Sequence, residues 1–326
     1  MQSFYISLYI YLVKVMRNLL LLALFSLAVD AYADGDIYVV IVSGGRGKMF
    51  NHERYWNDCA FLYRTLRQEY NIPKDHITLL MADGDDPATD MLCDGATGFA
   101  SSPTDLDGDG QSDLTLAATR RNLDDTFRWL SETLDASDHL FLFITDHAEK
   151  ASPSEGGLEE AVHLWLWGDD QLTPDELAAM VGRCHPATIN ILLGQCHAGA
   201  FVSPLLDEGR IITVACAADQ MSWSCKDRPY DEFVYHWTCA IAGHDEQGQL
   251  VNADYNSDGH VSMQEAYDYA RQHDRRPETP TLTTVSDGLA DGWSFSGIGI
   301  ESGIISPSST HPSSSIIYDL QGRKKF

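Results

Sequence analysis

Two apolar runs in this chain stop abruptly at residues able to do nucleophilic chemistry. Thr188-Ile189-Asn190-Ile191-Leu192-Leu193 ends in Gly194-Gln195-Cys196-His197-Ala198-Gly199, and Leu140-Phe141-Leu142-Phe143-Ile144-Thr145 ends in Asp146-His147-Ala148. A thiol attacks as thiolate and needs a base or cation beside it at neutral pH, for which imidazole is the usual partner. In an open parallel sheet, reactive groups gather beyond the carboxyl ends of the strands. Small residues around Cys196 let a substrate backbone approach and leave main-chain N–H groups free for a developing oxyanion. His197 is the weaker base candidate, because adjacent side chains on a turn rarely face one another.

The elements that must position this pair follow a repeated order. Ile37-Tyr38-Val39-Val40-Ile41-Val42 reads as a buried first strand, Arg54 to Tyr70 as an amphipathic helix, and residues 76–81 as a second strand. A long polar insertion spans residues 83–114, and Ala118 to Leu134 reads as a helix leading into the His147 strand. Residues 163–168 form a short strand or hairpin arm. Thr173-Pro174-Asp175-Glu176 carries the capping-box signature of a helix start. Residues 211–216 give another strand, and Asp231 to Ile241 a buried helix. Strands alternating with helices predict an α/β fold with a doubly wound, mostly parallel sheet. Beyond Asp291 the chain turns Gly-, Ser- and Pro-rich and reads as a linker through residue 315.

With 326 residues, 44% of them hydrophobic, the chain can bury one large core. Its net charge of −26, from 48 acidic residues against 22 Lys and Arg, excludes nucleic acid and anionic membranes as natural partners and suits calcium. Residues 1–33 read as an export signal. Met16-Arg17-Asn18 precedes an apolar stretch from Leu19 to Val29 and the cleavage pattern Ala31-Tyr32-Ala33, with translation starting at Met1 or Met16. The expected location is therefore exported (periplasmic, cell-surface or extracellular), with no stable membrane span after cleavage. Seven cysteines, an odd number, leave at least one thiol unpaired in such a protein.

Asp254-Tyr255-Asn256-Ser257-Asp258-Gly259-His260-Val261-Ser262-Met263-Gln264-Glu265 fits a twelve-residue calcium loop of the EF-hand type. Asp254, Asn256, Asp258 and Ser262 supply oxygens, His260 a main-chain carbonyl and Glu265 the bidentate end, while Gly259 permits the bend. Asp105, Asp107, Asp109, Gln111 and Asp113 repeat the first half of that pattern, with Leu116 where the closing Glu would stand. Structural Ca2+ is the expected cofactor, and no organic cofactor is called for.

The two strand ends, Asp146-His147 and Gln195-Cys196-His197-Ala198-Gly199, resemble the legumain-like branch of the caspase–gingipain–legumain cysteine peptidases. The resemblance covers residues 37–280. It implies a caspase–haemoglobinase-like fold over residues 34–290, with a mostly parallel sheet flanked by helices on both faces. It also implies a catalytic Cys196–His147 dyad supported by Asn51 in the loop Phe50-Asn51-His52-Glu53-Arg54. Arg54, Ser222 and Asp231 would form the specificity pocket, and the backbone N–H groups of Ala148 and Cys196 the oxyanion site. The implied activity is endopeptidase cleavage of a peptide or protein substrate after Asn or Asp. The same family includes peptide ligases. Its usual residue after the catalytic His is Gly; Ala148 would be strained if that position required positive φ. A weakened peptidase, kept as a calcium-binding surface protein, is the alternative from another class. The end, Ile316-Ile317-Tyr318-Asp319-Leu320-Gln321-Gly322-Arg323-Lys324, resembles the start of the C-terminal sorting modules of secreted Bacteroidetes proteins.

Overall fold

The computed structural model describes residues 35–93, 98–114, 116–150 and 161–298. The expected signal segment, the linker beyond residue 298 and the C-terminal sorting-type stretch lie outside the described residues. No helix among the described residues is long and apolar enough to cross a membrane.

Along the chain, β1 (Ile37–Ser43) leads to α1 (Glu53–Gln68) and β2 (Ile77–Met81). The acidic insertion forms a small hairpin, β3 (Met91–Leu92) and β4 (Phe99–Ala100), followed by an Asp-rich loop. Next come α2 (Arg120–Thr133) and β5 (His139–Ile144). A three-stranded antiparallel flap follows: β6 (Ala148–Lys150), β7 (Val162–Trp165) and β8 (Gln171–Leu172). Then α3 (Pro174–Val181), β9 (Thr188–Leu193), the short α4 (Val202–Leu205) and β10 (Arg210–Val214) complete the central part. The chain finishes with α5 (Glu232–Ala242), α6 (Met263–His273), β11 (Thr281–Thr283), α7 (Leu289–Gly292) and a hairpin, β12 (Trp293–Ser294) with β13 (Gly297–Ile298).

Six strands form one sheet in the order β11-β10-β9-β5-β1-β2, parallel throughout except for β11 at the edge. The fold is thus mixed α/β with a mostly parallel sheet. Alternate residues of each central strand enter opposite cores, because side chains in a strand alternate between faces. Val39, Ile41, Phe141, Phe143 and Leu192 pack with α1, α5 and α6, while Val40, Val42, Leu140, Leu142, Ile191 and Leu193 pack with α2 and α3. Burial on both faces explains why these strands read as unbroken apolar runs.

Local signals hold where they were strong. Thr173 and Glu176 form the capping box at the start of α3, with Pro174 in its first turn. The stretch expected as linker from residue 291 is different. Trp293 and Phe295 are buried in the core formed with α5 and α6, so packing continues to residue 295 at least. Two large aromatics outweigh the Gly and Ser around them, since their burial stabilises an ordered path against the conformational entropy of a short segment. All seven cysteines are unpaired, and Cys59, Cys184, Cys216 and Cys239 are plain buried residues.

Candidate active site

The sheet itself aligns the two strand ends. In the β5–β9 ladder Ile144 is paired with Leu193, so His147 and Cys196 each stand three residues beyond the same register pair. Neighbouring strands lie ~4.8 Å apart, which brings the two loops side by side at the carboxyl edge. The loop after β1 joins them, because β1 is the other neighbour of β5.

Asp146 fastens this junction. Its carboxylate accepts Gly45 N–H at 2.5 Å and His147 N–H at 2.6 Å. Burial pushes its pKa up to about 7, against the lowering effect of those N–H groups. Gly45 sits at φ +64° with the Asn51 side chain against it, and any Cβ there would come within 2.4 Å of Asn51 Cβ.

The imidazole of His147 is held by a carbonyl, not by the expected side chain. His147 Nε2 lies 3.0 Å from Phe50 O and 3.3 Å from Tyr55 Oη. A carbonyl offers only lone pairs, so Nε2 carries the proton and donates it there, leaving Nδ1 as the open acceptor. Asn51 instead turns its Nδ2 to Asp90 O at 3.0 Å, and its carbonyl accepts Leu92 N–H. Asn51 therefore ties the loop to the β3 hairpin, and its role as direct supporter of His147 passes to the main chain of Phe50. The rings of Phe50, His52 and Tyr55 surround the imidazole edge-on, with centroids 5.3 to 6.1 Å away. This enclosure desolvates the charged form, and with the nearby Arg54 cation it lowers the His147 pKa to about 4.

Cys196 is nearly buried, and its Sγ donates to Ser222 O at 3.7 Å. Burial raises the thiol pKa, so the resting group is a thiol aimed at Ser222, not a preformed ion pair with His147. His197, at φ +57°, donates N–H to Gln220 O, and its ring Nδ1 lies 3.0 Å from Ala218 O. That anchors the ring to the next loop and leaves His147 as the base candidate. Gly199 lets the two loops touch, since a Cβ there would lie 2.5 Å from Ala218 N.

Ala148 is free of the strain its sequence context suggested. It has no positive φ, sits in β6 opposite Leu164, and its methyl is buried in the core under the flap. Trp165 N–H bonds to His147 O, one residue before it. Ala148 is therefore a non-hydrogen-bonded position of the ladder, and its N–H faces away from β7. Neither this N–H nor that of Cys196 is bonded to the backbone among the described residues.

Arg54 and Asp231, 177 residues apart, form a direct ion pair with Nε–Oδ1 at 2.8 Å, both largely buried. Thr145 Oγ1 donates to the other Asp231 oxygen at 3.3 Å, and Arg54 also donates to Tyr55 Oη at 2.9 Å. Asp231 N–H rests on the Asp58 carboxyl, whose pKa is raised well above the ordinary range by burial and by the Asp231 charge. Asp58 and Tyr55 belong to the site but carry no sequence signal beyond their place in the first turns of α1.

The two acidic loops differ from expectation in which one gathers carboxylates. Oxygens of Asp105, Asp107 and Asp109 lie within 4.8 Å of one another, and Gly108 and Gly110 take the positive φ their bends require. This donor set, hard and anionic, fits calcium. Asp113 does not join it. Its carboxylate is spent on Lys74 at 2.7 Å, Tyr63 and Leu106 N–H. Gln111 caps back onto Asp109 through its own N–H. In the 254–265 loop, Asp254 accepts N–H from Asp258 and Gly259, and Asp258 accepts from His260. The Glu265 carboxylate, however, reaches the N–H groups of Tyr255, Asn256 and Ser262, closing a capping box with Ser262 at the start of α6. Amides bond to the Asp105, Asp107 and Asp109 carboxylates in the same pattern, so what sets the 254–265 loop apart is Glu265, turned to its capping box and the Tyr255 and Asn256 amides.

No family model and no curated protein matches this chain. Among solved structures it is similar to protein GSU0716 from Geobacter sulfurreducens, at 13% identity and a TM-score of 0.45, over 77% of this chain and 94% of that one. A likeness this distant carries no argument about chemistry.

Proposed function

We propose that this chain is an exported, legumain-like cysteine endopeptidase of caspase-like fold, with Cys196 as nucleophile and His147 as acid–base partner. The observation that carries the reading is the shared register of the two residues beyond β5 and β9, with His147 Nε2 already committed to Phe50 O. His147 Nδ1 accepts the thiol proton as Sγ bonds to the peptide carbonyl carbon. The resulting oxyanion is held by the N–H groups of Ala148 and Cys196. The C–N bond breaks as His147 returns its proton to the departing amine, leaving a thioester. Water, deprotonated by His147, then releases the acid. An amine in place of water would give ligation at the same thioester.

A side chain entering beside Arg54 and Asp231 meets a donor and an acceptor whose charges cancel. That combination suits the neutral carboxamide of Asn better than the carboxylate of Asp. An extended peptide can pair with the edge formed by Ser222 to Cys225. Trp223 O and Cys225 N–H are bonded inward to Glu232 and Tyr230, which turns the groups of Ser224 outward.

The test is covalent. A peptide chloromethyl ketone ending in Asn, followed by peptide mapping, should label Cys196 and none of the other six cysteines, and reporter peptides should be cleaved in a thiol-dependent manner. Label spread over other cysteines, or none with intact calcium binding, would replace the peptidase reading with that of a calcium-binding surface protein. Because the His147 pKa is lowered to about 4, the base stays neutral well below pH 6. The acid limb of kcat/KM should therefore fall near pH 4, and a limb at pH 6.5 would contradict the enclosed imidazole.

Calcium belongs to the same proposal as a structural brace. Asp105, Asp107 and Asp109 would hold it, and the ion would neutralise three carboxylates that otherwise repel. Calcium should raise the melting temperature measured by circular dichroism. Asp105→Ala should remove most of that shift if this loop is the main site, whereas Asp254→Ala should remove it if the 254–265 loop dominates.

A further inference from the structure

We propose that the groove leading away from Cys196 ends in a cationic subsite, formed by Lys226, Arg275 and Arg276, that selects substrates carrying an acidic residue two to four positions before the cleaved bond. The inference rests on the peptidase reading above and adds a specificity that reading does not contain.

Two cavities of about 390 and about 290 Å3 share the wall from Cys225 to Arg228. The first reaches Arg54, and so adjoins the pocket for the cleaved residue. The second extends beyond the shared wall, which includes Lys226, to Arg275 and Arg276, with Glu232, His236 and His273 also lining it. A peptide running antiparallel to Ser222–Cys225, with its reacting carbonyl at Cys196, places its upstream residues beside Ser224 to Lys226. At ~3.4 Å per residue, two to four residues span that distance.

Charge then decides what fits. The chain has a net charge of −26, so a cluster of cations is exceptional on it. Arg228 is consumed by Asp227 and Glu246. Lys226, Arg275 and Arg276 make no ion pair among the described residues, and Arg276 Nε is buried without a hydrogen-bond partner. The Arg276 guanidinium lies over the Trp223 ring, 5.0 Å from its centroid, which fixes it at the edge of the groove. The carboxyls nearby offset part of this: Asp227 and Glu232 line the same cavity, and Asp274 accepts Arg276 N–H at 2.7 Å. Glu232 accepts Arg275 N–H and faces His236 at 3.9 Å. Burial, with Asp274 alongside, raises the Glu278 pKa, and its carboxyl accepts Trp223 N–H at 3.1 Å. An acidic side chain arriving here would supply the carboxylate that three cations lack.

The test uses peptides with Asn at the cleaved position and Glu, Ala or Lys at the three upstream positions. In the full chain, kcat/KM should favour Glu over Lys by about tenfold, the scale of a few partly exposed charge pairs. The double variant Lys226→Glu, Arg275→Glu should reverse that order; both side chains are exposed, so the fold should survive. The milder Lys226→Ala should reduce the ratio without reversing it. Affinity of the same peptides for Cys196→Ala, by fluorescence anisotropy, reads the subsite without catalysis. Cleavage or binding indifferent to upstream charge, or a ratio unchanged in the double variant, would overturn the subsite and leave the peptidase reading intact. Charge-ordered binding without any thiol-dependent cleavage would do the reverse.

Discussion

Replacing Cys196 with alanine is expected to abolish peptide cleavage, with kcat/KM falling by roughly four orders of magnitude or more, as removal of a covalent nucleophile does. Only the Sγ bond to Ser222 O is lost structurally, and a small residue replaces a small one, so the fold should stand. The measurement pairs reporter hydrolysis with a urea denaturation curve. Residual activity within tenfold of the parent would reassign the nucleophile. His147→Ala should act on the same step and add little to Cys196→Ala, because nucleophile and base work as one unit.

The second large effect concerns stability as well as specificity. Arg54→Ala removes the cation from a pair in which both partners are largely buried, Arg54 at 17% and Asp231 at 8% side-chain exposure. Asp231 would then face the Asp58 carboxyl beneath it with only Thr145 as donor. Leaving a buried charge unpaired costs about 3–5 kcal/mol, to be read as a lowered midpoint in urea. Tyr55 Oη would also lose its Arg54 donor, loosening the ring that borders His147. Activity on Asn peptides should fall further than stability alone explains, so kcat/KM measured well below the unfolding midpoint separates the two effects. Arg54→Ala with unchanged stability would mean that water reaches Asp231 more freely than its burial implies.

Residues legible in the sequence share one property: their signal is local. The runs Ile37–Val42, Leu140–Ile144 and Thr188–Leu193 are apolar on both faces, so they had to be central strands, and whatever followed them had to lie at the sheet edge. That logic placed Cys196 and His147 without any tertiary information. The capping box of α3 was equally local, spanning four residues, whereas Ser262 and Glu265 read as calcium ligands and only the structure shows them capping α6. Ala148 shows the opposite case. Its identity suggested strain, yet extended backbone in β6 accepts a methyl readily, and only the flap reveals that.

The sequence by itself determined the alternating α/β order, the two strand ends bearing thiol and imidazole, and the acidic loops. Composition and periodicity act over a few residues, and these features are that short. The tertiary structure alone decided the partners. Phe50 O, 97 residues from His147, fixes the imidazole; Arg54 finds Asp231 across 177 residues; Asp113 is drawn from its loop by Lys74. A main-chain carbonyl has no side-chain signature, and an ion pair between distant segments exists only once a shared, desolvated site brings both charges together.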